Sequence, residues 1–392
     1  MQKIKAVLDL GNGYIKWLII GQDEWRDIIL AKEYTKTQWY RKGKILDNDL
    51  FLKAIQTIID GFQKKLWGEY IDEVIVGVSH PEMIVERITE SKRIIGSDQI
   101  MTQDITHLST LINDMSIKSN YETLKILPVY RTLDDSKIEK NPEWLQAKKL
   151  SLTADIFYIP KMFYQNIVEL LSSLELNVVD IVPNILASVE ALIDMDHKDL
   201  WTMIIDIGAN QSSYAIYEEW YALGYGVIPV GWDEITKDIS IGMQIDIKDA
   251  EKIKLWKPLT EDTDNQTLDE RFLWEIITAR YEQVLEKIHN KLSQLDKDGR
   301  LAGWIYLTWQ ATWRYNTLDL CKHIFKLATF HAKDISGQFG DISNNTMYHN
   351  CLGLYSRSKK YHSTKSVFSF RNMQSMGKWL RESITNFFKD LF

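Results

Sequence analysis

Two short segments constrain this chain more than any others. Asp9-Leu-Gly-Asn-Gly-Tyr-Ile-Lys16 follows one apolar run directly, and Asp206-Ile-Gly-Ala-Asn-Gln-Ser-Ser213 follows another. Ala6–Asp9 and Met203–Asp206 each read as a buried strand ending in a carboxylate, with small residues next that permit a tight turn. Turns of this kind aim backbone N–H groups at an anion, and glycine at 11, 13 and 208 lets the backbone approach phosphate oxygens closely. One such turn is an ordinary hairpin. Two, half a chain apart, predict lobes that grip one phosphorylated ligand from opposite sides. Asp9, Gly11, Asn12, Gly13, Tyr14 and Lys16 are the expected contacts of the first turn. Gly208, Ala209, Asn210, Gln211 and Ser212 are those of the second. Asp9 and Asp206 then face each other across a cleft, placed to hold a hydrated Mg²⁺.

Length supports two lobes, because 392 residues exceed what one core usually organises. The chain is 45% hydrophobic and 26% charged, ordinary for a folded protein, and its net charge of −7 argues against general nucleic-acid binding. Cys321 and Cys351, without a C-x-x-C, suggest neither a disulfide framework nor a zinc site, so a reducing cytoplasm fits. The N-terminus enters a strand at once and lacks the pattern of an export signal. No run of about 18 apolar residues exists to span a bilayer.

Further motifs give the pair of turns a context. Val227-Ile-Pro-Val-Gly-Trp-Asp-Glu-Ile-Thr-Lys-Asp-Ile-Ser-Ile-Gly242, followed by Ala250-Glu-Lys-Ile-Lys254, comes after Leu127-Pro128, Asn141-Pro142 and Leu186-Ala187-Ser188. Ile276-Ile-Thr-Ala-Arg280, Gly303-Trp-Ile-Tyr-Leu-Thr308 and Leu352-Gly-Leu354 continue the series. Order and spacing resemble the actin, Hsp70 and sugar-kinase superfamily and, within it, the FtsA family of bacterial cell division.

The resemblance implies an α/β, two-lobed actin-like ATPase fold with a small α+β subdomain inserted in the first lobe and a C-terminal amphipathic helix. It divides the chain into a first lobe at 1–82, the insertion at 83–160, and first lobe plus interlobe helix at 161–198. A second lobe at 199–340 carries an accessory subdomain near 251–300, and residues 341–355 return to the first lobe. ATP and Mg²⁺ are the implied cofactors. Gly231 and Trp232 occupy the family's Val-Gly-Gly turn, Glu251 and Lys254 the run that meets ribose and base, and Thr308, Trp309 and Gln310 the adenosine loop. Asp206 and Glu190 are the candidates for activating water, in an enzyme that is at most a slow ATPase. His80, in the family's Gly-Ser-His turn, reads as a hydrogen-bonded turn residue.

Tryptophan is where the chain departs from the family. Trp39, Trp144, Trp201, Trp220, Trp232, Trp256 and Trp309 stand where the family tends to have glycine, and the chain holds 14 Trp against only 19 Gly, below the usual glycine share of about 7%. Tryptophan cannot copy glycine's backbone range, so each swap in a tight turn costs about 1–3 kcal/mol and many together should not fold. The pattern points to a source that reads UGA as glycine. The alternative is a diverged relative with real indoles in its cleft, in which ATP binding becomes doubtful while the fold stands.

The C-terminus carries a second signal. Met376, Trp379, Leu380, Ile384, Phe387, Phe388, Leu391 and Phe392 describe a membrane-facing helix over 376–392, with Lys378, Arg381 and Lys389 on its other side. Ahead of it, 356–375 holds Arg357, Lys359, Lys360, Lys365 and Arg371 with no acid, a basic linker suited to anionic lipid. The expected protein therefore binds ATP, self-associates into filaments on the cytoplasmic face of the membrane at the division site, and tethers the FtsZ C-terminal tail there. A PilM-like pilus-assembly adaptor and a sugar- or acetate-kinase-type phosphotransferase are the rival readings.

Overall fold

The computed structural model describes residues 4–23, 26–37, 39–41, 43–65, 71–96, 98–138, 141–193, 198–256, 267–293, 303–308, 317–332 and 346–361. Its architecture is a duplication. The first sheet runs β11(Asn177–Pro183), β6(Glu73–Val78), β1(Lys5–Leu10), β2(Tyr14–Asp23), β3(Arg26–Lys36). The second runs β16(Ala328–His331), β15(Gly303–Thr308), β12(Trp201–Ile207), β13(Ser212–Glu218), β14(Tyr221–Ile228). In each, the central strand pairs parallel on one side and antiparallel on the other with the strand that follows its turn. The two apolar runs take these central places because both faces of a central strand are covered, which removes the need for polar alternation. Val7, Leu8, Met203, Ile204 and Ile205 are accordingly buried.

Helices α1(Asn48–Lys65) and α3(Lys161–Ser173) connect the parallel strands of the first lobe. Phe51, Ile55, Ile58 and Phe62 of α1 recur on one face and join that lobe's core. In the second lobe α5(Trp232–Gly242), α6(Ile247–Trp256) and α7(Leu268–Ser293) precede β15, and α8(Thr317–Phe325) precedes β16. Residues 84–160 contribute a four-stranded antiparallel sheet, β7(Ile84–Arg93), β10(Lys149–Pro160), β8(Tyr121–Leu133), β9(Ser136–Ile138), backed by α2(Thr102–Met115).

Two helices lie between the lobes. The interlobe helix expected within 161–198 is α4(Asn184–Leu192), which starts where it does because Pro183 ends β11 and supplies the extended residue from which a helix can start. It packs on α9(His349–Tyr361) so closely that a Cβ at Gly353 would lie 1.9 Å from the Ala187 carbonyl oxygen. A shared core joins Val7, Leu18 and Ile20 of the first sheet to Ile204 and Ala215 of the second through Leu186, Val189 and Leu352. The inserted sheet also reaches the second lobe. Arg87 forms a fork to Asp155, Nε to Oδ1 and Nη2 to Oδ2, both at 2.8 Å, and donates from Nη2 to the Ala222 carbonyl at 2.6 Å.

Of the tryptophans at glycine-like positions, Trp144 and Trp220 hold left-handed φ values of 70° and 69°. Trp39 and Trp201 are instead core residues outside that region, and Trp39 packs edge-on against Phe51 at 4.3 Å. The strain expected of every such position therefore falls on two of those described, because extended and helical backbone accepts an indole where a cavity exists for it.

Candidate functional site

Asp9 ends the first central strand and is fully buried. Strand register sets Lys16 directly opposite it, with Nζ 2.9 Å from Oδ2. The first residue of α4 adds a bond from Asn184 Nδ2 to Oδ1 at 2.7 Å, and Asn350 of α9 approaches Oδ2 at 3.4 Å. Burial alone would depress the Lys16 ammonium, but the Asp9 carboxylate more than offsets this and holds it above its ordinary value. The second lobe repeats the plan with different chemistry. Asp206 sits opposite Ser213 on one side and Thr308 on the other, and accepts a 2.6 Å bond from Thr308 Oγ1.

Each central strand then turns toward the other lobe. In the first turn Thr37 fixes the backbone, donating Oγ1 to the Gly11 carbonyl at 2.7 Å and N–H to the Gly13 carbonyl at 2.9 Å. In the second, Gly208 N–H donates to the Gln211 carbonyl, and the first turn of α5 is stitched on through Trp232 N–H to Gly208 O and Asp233 N–H to Ala209 O. Gly231 makes this possible, since a Cβ there would meet the Gly208 oxygen at 2.4 Å and the Ala209 oxygen at 2.6 Å. The turns face one another closely enough that a Cβ at Gly13 would touch the Ala209 methyl at 3.2 Å.

Between them lies a cavity of about 760 Å³ lined from both lobes. Asp9, Gly11, Asn12, Gly13, Tyr14 and Lys16 face it from the first, and Asp206, Gly208, Ala209, Gln211, Trp232 and Glu251 from the second. Asn210, Ser212, Gly231, Thr308 and Lys254 stand outside that lining. Ser212 there donates to the Val230 carbonyl at 2.8 Å. Glu190 lies farther along α4 and does not line the cavity. Trp309 and Gln310 fall outside the described residues.

At the α5–α6 end, Lys254 is buried and engaged on every side. Its Nζ is 2.6 Å from Glu251 Oε2 and from Thr236 Oγ1, and 4.4 Å from the centre of the Trp232 ring. Burial lowers its pKa to about 8 despite the Glu251 carboxylate. Trp232 thus covers the lysine expected to meet the ribose. Asp233 is raised above its ordinary value by burial, against the pull of Lys254.

The chain matches a family model described as "Cell division protein FtsA" over residues 203–347. It is 27% identical over 335 residues to the Cell division protein FtsA of Enterococcus hirae, covering 81% of this chain and 75% of that protein. The chain is FtsA-like. Among solved structures, a PilM–PilN type IV pilus biogenesis complex aligns over 90% of this chain and 98% of its own, with a TM-score of 0.65 at 13% identity. MreB5 of Spiroplasma citri bound to AMPPNP aligns over 91% and 97%, with a TM-score of 0.52 at 11% identity. Both likenesses concern the fold, which is that of the actin-like ATPases.

The cleft gathers polar groups that the protein itself leaves unmatched. Five buried side-chain atoms around it lack a protein hydrogen-bond partner: Asn12 Oδ1, Asn184 Oδ1, Asn210 Oδ1, and both amide atoms of Gln211. Leaving such groups unpaired costs about 1–3 kcal/mol each, so their collection in the two turns and at the start of α4 marks a place for something that supplies donors and acceptors. The carbonyl oxygens suit hydroxyls or the water shell of a cation, and the Gln211 NH₂ suits a phosphate oxygen. Among the described residues no group of three acidic, histidine or cysteine side chains stands ready to cage a bare metal ion.

Sequence reasoning did not single out Asn184, Asn350, Lys36, Arg41, Ser79 or Thr236, several of which line the cavity. Asn184 carried a signal, a polar residue opening an otherwise apolar helix directly after Val-Pro. Ser79 and Thr236 fall inside segments that carry the family resemblance but had no role assigned there, and no local pattern marks Lys36, Arg41 or Asn350. No described helix is long and apolar enough to cross a membrane, and the expected helix 376–392 lies outside the described residues.

Proposed function

We propose that this FtsA-like protein binds ATP with Mg²⁺ between its lobes and, so loaded, assembles into filaments on the cytoplasmic face of the membrane that tether FtsZ at the division site. The observation that carries this reading is the meeting of the two phosphate turns at one cavity ringed by unpaired buried amides. Gly11–Tyr14 and Gly208–Ser212 would cradle the phosphates, Lys16 and Gln211 would bind their oxygens, and Glu251 would face the ribose. Bound Mg²⁺ would neutralise phosphate charge, with Asp206 positioned to order its waters and Asp9 already balanced by Lys16. Asp206 is also the carboxylate placed to orient an attacking water, so hydrolysis is slow and serves to time disassembly rather than to make product.

The tail from Met376 to Phe392 is the proposed membrane contact, and many marginal helices on one filament bind together by avidity. Helix α7 belongs to the region that meets the FtsZ tail. Calorimetry with ATP and Mg²⁺ tests the nucleotide, with saturable binding expected and none overturning it. A pull-down with the FtsZ C-terminal peptide separates this reading from a pilus adaptor, for which no retention of that peptide is expected.

A further inference from the structure

The nucleotide reading leaves several cations of the cleft without a role. Lys36 at the end of β3 and Arg41 line the same cavity as the phosphate turns, and neither has an ion-pair partner among the described residues. Arg41 closes β4(Tyr40–Arg41), which pairs with β5(Lys44–Ile45) in a two-stranded hairpin. That hairpin is pinned from below. His80 Nε2 donates to the Gly43 carbonyl at 2.9 Å, while His80 Nδ1 accepts from Glu82 N–H at 3.0 Å, so the ring is neutral with its proton on Nε2. Tyr40 OH donates to the Ser79 carbonyl at 3.2 Å, and Leu46 N–H to the Trp39 carbonyl at 2.6 Å. A Cβ at Gly43, whose φ is 82°, would lie 2.5 Å from His80 Nε2, so ring and turn fit without spare room.

The anchor fixes where the hairpin's charge can go. Ser79 follows β6, the strand beside β1, and itself lines the cavity, so the hairpin that carries Arg41 is held beside the cleft. Across the gap stands Asp233, whose N–H is bonded to Ala209 of the second turn, and Arg41 is among the cations that act on its carboxyl, after burial, Lys254 and Lys237. A guanidinium carried by one lobe, lining the shared cavity and acting on a carboxyl of the other lobe, is suited to bind the end of a triphosphate held between the two turns.

We propose that Arg41 is a nucleotide-state sensor, an arginine of the first lobe that binds the terminal phosphate of the triphosphate and draws the second lobe closed, and that distinguishes ATP from ADP. The inference rests on the nucleotide reading above. Its test is the affinity of the full chain for ATP and for ADP, each with Mg²⁺, in the parent protein, R41A and R41K. In R41A, ATP binding is expected to weaken about ten- to hundredfold with ADP binding nearly unchanged. R41K should recover part of the loss, because lysine keeps the charge but not the fork. R41A should also lower the salt dependence of ATP binding. Equal affinities of parent and R41A for ATP, or equal losses for ATP and ADP, overturn the sensor while leaving the nucleotide site intact. Failure of the parent to bind either nucleotide overturns the nucleotide reading and the sensor with it.

Discussion

Trp144 and Trp220 are both substantially exposed, at 60% and 44%, and both hold the left-handed backbone that a bulky L-residue adopts only at a cost. The penalty is about 1–2 kcal/mol each, and little burial offsets it. W144G and W220G are therefore expected to raise stability by about 1 kcal/mol each despite glycine's looser unfolded chain, read from urea midpoints. Peptide masses from the protein made in its own source are expected to show glycine at 144, 220 and 232, and tryptophan at 232 there would sink the decoding explanation. At 232 the change has a second consequence. W232G uncovers Lys254 inside the cavity, and ATP affinity is expected to rise. Lys254 also sets a pH dependence. Its folded value is depressed to about 8 from 10.5, so the unfolded chain holds that proton to higher pH, and stability rises between pH 8 and 10.5. K254M should lose that slope in denaturation curves recorded across the window.

At the scale of elements, the helix pair α4–α9 depends on one missing side chain. With the Ala187 oxygen 1.9 Å from where a Cβ would sit, G353A must push the helices apart, and a loss of about 3 kcal/mol or more is expected in thermal or urea unfolding. The same displacement would pull Asn184 and Asn350 off Asp9, so nucleotide binding should weaken alongside stability. The central strands and their turns were legible because β1 and β12 are covered on both faces and end in a carboxylate before glycine, a pattern local in sequence. The helix α7, which falls in the accessory subdomain expected near 251–300, runs from Leu268 to Ser293. The α4–α9 crossing was not legible, since a glycine inside a helix marks no partner until tertiary packing supplies one. Nor was the role of Arg41, because a charged residue on a two-residue strand looks solvated until His80 and Ser79 fix its hairpin beside the cleft.

For the molecule as a whole, the duplicated sheets account for the cleft and for the two turns that face each other across it. Removing Met376–Phe392 is expected to release the protein from anionic liposomes in flotation assays while leaving ATP binding untouched, since the two phosphate turns lie at residues 9–16 and 206–213. Undiminished flotation would refute the anchor. The contact of Arg87 with the Ala222 carbonyl ties the inserted sheet to the far end of the β13–β14 hairpin, whose other end leads into the second phosphate turn. Widening the gap between lobes must either tear that bond or swing the insertion along with it. If the proposed nucleotide moves the lobes, the insertion is the pointer on that lever, carrying small changes at the phosphates out to the molecule's rim.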